Sequence, residues 1–207
     1  MLECSSCVRE PVKGRWRVRL SLHVIAVGAL LVPSLAAVQQ PVGGKVGLAA
    51  VLNFAYAGSK ADLTAEAERM PEADYGLKPG TMPEVRTFGQ LFGHVAAGQF
   101  GVCAAVKGVP NPMGTKTLED FKTKAEFVKV LADSFAFCDD AFSTTTDENA
   151  TQFIQQGPNQ LPRAAALFGL LAHNSEMYGI GTVYLRLKGI VPPSTERATA
   201  RRPGVGR

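Results

Sequence analysis

Between Thr123 and Phe142 apolar residues return every three or four positions, at Phe127, Leu131, Phe135, Cys138 and Phe142, with Ser134 beside Phe135. That period lays one apolar stripe along an α-helix, and such a helix is stable only against partners that cover the stripe. Thr123-Lys124-Ala125-Glu126 marks its start as a capping box, in which the Thr123 hydroxyl accepts from the Glu126 amide while the Glu126 carboxylate reaches back. Three more segments read as helices. The first spans roughly 44–70, with Val46, Ala50, Asn53 and Ala57 on one stripe and Pro71 as its stop. The second is introduced by Thr81-Met82-Pro83-Glu84, another candidate capping box, and runs to Lys107, where Gly108 ends it. The last starts near Leu161, with Pro162 tolerated in its first turn, and ends at Lys188-Gly189 ahead of Pro192-Pro193.

No segment alternates with period two, so four helices predict an all-α bundle. The connection 108–120 holds two prolines and two glycines and no usable period, and its length permits a crossover. The stretch 144–160 reads as polar and turn-rich, and the residues from Ser194 to Arg207 read as a flexible basic tail outside the domain at 44–193. A 207-residue chain with 46% hydrophobic and 19% charged residues has enough apolar surface for one folded domain. The net charge of +4 is concentrated at the ends, in Arg9, Lys13, Arg15, Arg17 and Arg19 and in Arg197, Arg201, Arg202 and Arg207. The middle carries no cluster of cations and aromatics of the kind nucleic acids require, so that function class is set aside.

Those five N-terminal cations precede an apolar run from Leu20 to Leu31 and the small-residue stretch Pro33-Ser34-Leu35-Ala36-Ala37. The order predicts a secretory leader over residues 1–36, cut after Ala36 or, less favourably, after Ala37, with the mature chain beginning near Val38 and exported to a periplasmic or extracellular space. The run is shorter than the ~20 apolar residues that cross a bilayer and is interrupted by His23, so no stable membrane anchor is expected after cleavage. Cys4 and Cys7 form a lone CxxC without a second pair of ligands and fall within the leader.

On the last helix Ala166, Leu170, His173, Met177, Ile180 and Tyr184 share a face at three- and four-residue steps. His173 therefore points among apolar neighbours, where an unpartnered imidazole costs about 1–3 kcal/mol. A metal, the Glu176 carboxylate or water would satisfy it. On the second helix His94 shares its face with Leu91, Ala97, Gly98 and Gly101, a bare stretch that leaves room for a ligand or for a close helix contact. Two histidines on separate helices fit either a metal site or two satisfied core side chains.

The stretch "MPEADYGLKPGTMPEVRTFGQLFGHVAAGQF", the block "KAEFVKVLADSFAFCDDAF" and the ending "AHNSEMYGIGTVYLRLKGIVPPS" resemble the DinB superfamily, especially its exported members, over roughly Val46 to Ser194. The resemblance implies a four-helix bundle of up-down-down-up order, with the second and third helices parallel and joined by a long crossover. It also implies a divalent-metal site, for zinc or nickel, with one histidine from the second helix and two from the fourth at four-residue spacing. Those positions fall on His94, His173 and Met177, so the third histidine is replaced. A thioether is soft and neutral, suited to Cu(I) more than to Zn²⁺, and Glu176 is the candidate carboxylate substitute about 100° around the helix. Tyr178, Tyr184 and Arg186 match the family's closing block and read as packing or ion-pair residues, and Arg86 reads chiefly the same way.

If the second and third helices are parallel, Cys103 and Cys138 lie at the same end of the bundle. In an oxidising compartment they are a candidate disulfide contributing roughly 3–4 kcal/mol; the alternative is two buried thiols acting as small hydrophobes. Two functions from different classes follow. One is a metal-dependent transferase or hydrolase-like enzyme, as some members of the family are thiol S-transferases, acting on a small thiol or electrophile. The other is a metal-free binding or stress-related module in which Met177 is a core filler. A homodimer is compatible with either.

Overall fold

The computed structural model describes residues 43–201; the expected leader, with Cys4 and Cys7, and the end of the tail lie outside them. Four long helices carry the fold: α1 (Leu48–Arg69), α2 (Phe88–Lys107), α3 (Lys124–Ser143) and α4 (Arg163–Leu187), with a short α5 (Pro193–Ala200). A hairpin of β1 (Phe153–Gln156) and β2 (Asn159–Pro162) precedes α4.

Side-chain contacts fix the helix directions. Cys103 and Cys138, each late in its helix, form a disulfide with Cα atoms 5.4 Å apart, while the Phe127 ring early in α3 lies against Gly89 early in α2. The two helices therefore run parallel, and a connection of sixteen residues carries the chain back from Lys107 to Lys124. Glu66 late in α1 meets Gly181 late in α4, and the Ala49 amide early in α1 donates to Asp147 Oδ1 at 2.8 Å, near where Ala164 N, early in α4, donates to Ala150 O. So α1 and α4 are parallel to each other. Tyr184 Oη late in α4 donates to Arg86 O just ahead of α2, which makes α4 antiparallel to α2. The order is up-down-down-up.

Local chemistry explains most element ends. α3 uses the Thr123–Glu126 capping box, with Glu126 N donating to Thr123 Oγ1 and Thr123 N to Glu126 Oε2. α2 does not use Thr81–Glu84. Met82 precedes Pro83, which disfavours helical backbone there, and Val85 N donates to Met82 O in a turn instead. The working box is Thr87–Gln90, and the next amides, of Phe88 and Gly89, donate to the carbonyls of Leu77 and Tyr75. At the other end Gly108 adopts φ +67° and Val109 N donates to Ala104 O, a left-handed stop that a side chain would strain.

Three further expectations are corrected. The stripe of Val46, Ala50, Asn53 and Ala57 is not the buried face of α1: Val46 is 63% exposed and Asn53 is half-buried, while Leu52, Tyr56, Leu63, Glu66 and Ala67 face the core. The stretch 144–160 is not wholly irregular. Its hairpin pairs Ile154 with Leu161, which pack on the core, but glutamines fill three of the other six positions and conceal the period. Pro162 closes β2 and caps α4 from outside. The tail from Ser194 is helical to Ala200, with Arg197 paired to Asp62, Arg69 paired to Glu196, and Tyr178 Oη exchanging hydrogen bonds with Ser194.

The core is aromatic. Phe88, Phe92, Phe135 and Phe142 are fully buried with Leu63, Leu131, Leu167 and Leu185, each contributing about 1.5–3 kcal/mol by leaving water. Tyr56 stacks on Phe142 with centroids 3.9 Å apart and donates to Phe135 O at 2.7 Å. One acid intrudes. Glu66 is 0% exposed, neither of its oxygens has a hydrogen-bond partner, and burial, reinforced by Asp62, pushes its carboxyl up to about 9. Its carboxyl group lies 2.7 Å from where a Cβ on Gly181 would be, so a side chain there would have to displace it.

Reducing the disulfide should lower the unfolding free energy by about 3–4 kcal/mol for its sequence separation of 35, measured by urea unfolding with and without dithiothreitol. Glu66 holds its proton more tightly folded than unfolded, so its contribution is fully present below pH 4.5 and is lost as pH rises towards 9. Wild type should therefore lose about 3 kcal/mol relative to Glu66→Gln between pH 4.5 and pH 7, and parallel stability curves for the two proteins would exclude this.

Candidate metal centre

His94 and His173 meet across the α2–α4 groove. Their Nε2 atoms are 3.1 Å apart, and the rings are edge-to-face with centroids 4.9 Å apart at 70°. Both residues are half-buried. The His173 ring edge packs over the bare stretch of α2, 3.4 Å from where a Cβ on Gly98 would be.

Both rings are held below the ordinary imidazole range. For His94 the causes are burial, then the Arg86 charge and His173, partly offset by Glu176. For His173 burial again leads, with Glu176 raising and Arg86 lowering the value. Two neutral imidazoles face each other at neutral pH, each with a lone pair to offer. If they bond only to each other, one Nε2 donates and the other accepts. If both lone pairs meet one cation at the usual 2.0–2.1 Å, the 3.1 Å separation corresponds to an angle of roughly 95–100° at the ion, within the range of ordinary coordination. The pair fits a divalent ion.

The other expected ligands are placed differently. Met177, one turn beyond His173, is 6% exposed and belongs to the main apolar core. Glu176 is exposed, hydrogen-bonds to neither ring and acts on both only through its charge. Among the described residues no group of three or more His, Cys, Asp or Glu side chains is arranged to hold a metal. The structure thus unites the two histidines and leaves them without an anionic ligand. Of the expected α4 stripe, Ala166, Leu170, Met177 and Tyr184 are buried, but its edge is displaced: Ile180 is 37% exposed, while Asn174, off that stripe, is 0% exposed. His173 consequently stands at the margin of the packing face instead of its centre.

Arg86 was the residue most underweighted by sequence. It is half-buried just ahead of α2, and its charge reaches both imidazoles. Helical spacing could not have marked it, because Arg86 precedes the extended Thr87 cap and lies outside the period of α2. Beside His173 a cleft of about 300 Å³ opens between α2, α4 and the hairpin, lined by Gly98, Val102, Leu161, Ala165 and Gly169 among others. A larger cleft of about 610 Å³ lies between α2, α3 and the crossover, floored by Phe100, Met113 and Val130, and shares no residue with the pair.

With fold and pair in place, comparison with known proteins settles the family. The model of the DinB superfamily matches residues 55–177, a span that takes in His94, His173 and Met177, and the chain belongs to that superfamily. Among solved structures it is similar to a DinB-like protein from Bacillus cereus, at 18% identity and a TM-score of 0.52 over 69% of this chain and 93% of that one. It is also similar to a DinB-like protein from Bacillus subtilis, at 15% identity and a TM-score of 0.54 over 67% of this chain and 92% of that one. At these identities the likeness is one of fold. No curated protein sequence matches the chain.

In chelator-treated protein both imidazoles should titrate below pH 6.5, and Arg86→Met should move both midpoints upward, because one positive charge is removed from beside both rings. Nuclear magnetic resonance titration of the ring nitrogens reads this, and an Arg86→Met protein with both midpoints unmoved would count against the assignment.

Proposed function

We propose that this DinB-superfamily protein is exported and carries a degenerate, His-His-Met form of the family's divalent-metal site, serving a transferase or hydrolase-like reaction on a small thiol or electrophile. The observation that carries the reading is the 3.1 Å approach of His94 and His173 Nε2 from two different helices. Zinc or nickel suits two neutral imidazoles, and such an ion supplies Lewis acidity that activates a thiol or water or polarises an electrophile. His94 and His173 hold the ion. Arg86 adds positive charge beside them, which favours an anionic substrate. Glu176, exposed and acting on both rings through its charge, accepts and returns a proton through water on this reading. Export is supported by the leader pattern over 1–36 and by the buried Cys103–Cys138 bridge, a bond that oxidising compartments preserve.

A second reading is favoured by the burial of Met177 in the apolar core. On that reading the bundle is a metal-free binding or stress-related module, and the two histidines satisfy each other. Elemental analysis of protein purified without a histidine tag separates the two. Near-stoichiometric zinc or nickel supports the metal site, and less than about 0.1 equivalent favours the metal-free module. In Met177→His, metal affinity should rise by orders of magnitude if only the third ligand has been lost. An unchanged affinity means that the site has closed.

A further inference from the structure

We propose that the outer face of α1 and α4, over the first half of each helix, seats a second copy of this chain by twofold symmetry and closes a homodimer. The groove between the two helices is covered for only part of its length. α5 lies over the later part, with Arg197 paired to Asp62 of α1 and Thr195 Oγ1 accepting from Arg186 of α4 at 3.3 Å. Val51 stands eleven residues before Asp62 and Phe168 eighteen before Arg186, close to three and five whole turns at 3.6 residues each. Val51 and Phe168 therefore line the same groove ahead of α5. Their levels agree as well: Glu66 meets Gly181, and thirteen residues back along each of these parallel helices bring Asn53 beside Phe168.

This part of the groove is apolar and large. Phe54 is 84% exposed, Phe168 66%, Leu48 49% and Val51 48%. An aromatic side chain presents about 150–250 Å² in full, so the two phenylalanines alone offer roughly 225–375 Å². With Leu48, Val51 and the exposed alanines around them, the face comes to roughly 600–800 Å², the share one partner brings to a standard interface and more than a typical monomer leaves open. Charge selects the occupant. Val46 to Ser59 and Ala164 to Ser175 contain no Lys, Arg, Asp or Glu. Such a face meets its own image without repulsion and without stranding an ion, whereas a charged partner would bury its charges unpaired. In a twofold pairing one patch serves both sides. Rings that protrude from one copy find low ground on the other at exposed Ala172 and at Gly58, where a Cβ would meet nothing within 4 Å. The histidine pair stays clear, because His173 lies five residues, about 140°, around α4 from Phe168 and faces α2. The pairing is thus independent of metal.

Sedimentation equilibrium on the purified full chain, with chelator and with Zn²⁺, tests this. The mass should be that of two chains at micromolar concentration in both conditions, and it should not grow further, since an isologous pair is closed. Phe54→Asp and Phe168→Asp should each raise the dissociation constant by at least about thirtyfold, the effect of losing a central aromatic from an interface. Both side chains are exposed, so circular dichroism of the variants should match wild type, and the milder Phe54→Ser and Phe168→Ser should weaken pairing in the same order. Met82→Asp, equally exposed but ahead of α2, should leave the mass unchanged. A monomeric wild type overturns the proposal, whether the face is then found covered by residues 1–42 or bound to vesicles of phosphatidylcholine and phosphatidylglycerol. A dimer that survives both aspartates, or one that Met82→Asp splits as readily, places the interface elsewhere and overturns it too.

Discussion

The parallel seating of α2 against α3 is the constraint on which the other placements depend. At one end it requires Gly89, since a Cβ there would stand 2.5 Å from the Phe127 ring, and at the other it is closed by the Cys103–Cys138 bridge. Parallel neighbours cannot be joined by a tight turn, so the chain must spend sixteen residues on the return, part of which folds as a 3-10 turn over Leu118–Asp120. With α3 on one flank of α2, the other flank is left for α4. His94 occupies that flank and meets His173, while the close fit of the Phe127 ring against Gly89 seats the same helix on α3.

α4 is the helix in which packing and polarity conflict. Its buried face includes Asn174 and lies opposite Glu66, and neither the Asn174 amide nor the Glu66 carboxyl has a hydrogen-bond partner. Each such group costs on the order of 1–3 kcal/mol, which the aromatic core must offset. The rotation that buries Asn174 also carries His173 to the edge of the interface. A histidine at the centre of the face would be sealed among leucines. At the edge it keeps one nitrogen on His94 and lies beside a cleft that reaches the surface.

Relative to the three-imidazole set implied by the family, this site is poorer in donors and more positive. Met177 has gone into the core, Glu176 remains in solvent, and the Arg86 charge reaches both rings. Desolvation lowers both imidazoles, which keeps them neutral and able to coordinate, but a dication held by them would have no protein anion against which to balance. An anionic ligand from outside complements such a site better than another neutral donor does.

How much was legible beforehand depended on whether the signal was local. The α3 stripe and its Thr123–Glu126 box, the stops at Pro71 and Gly108, and the four helices themselves follow from periodicity, capping chemistry and backbone restriction, which act within a few residues. The blocks around His94 and His173 carried the family, and with it the expectation that these two residues meet. Other features had no local signal. Thr81–Glu84 and Thr87–Gln90 both match the box pattern; Pro83 weakens the first, and long-range bonds from Phe88 and Gly89 to Leu77 and Tyr75 favour the second. The glutamine-rich hairpin shows its pattern only once Ile154 and Leu161 have a core to face, and α5 exists because Asp62, Arg69 and Tyr178 hold it. The sequence by itself determined where helices form and which two imidazoles are available, because propensity and caps are properties of neighbouring residues. Only the tertiary structure decided which face of each helix is buried and what surrounds the pair, because a helix's rotation is set by the shapes packed against it.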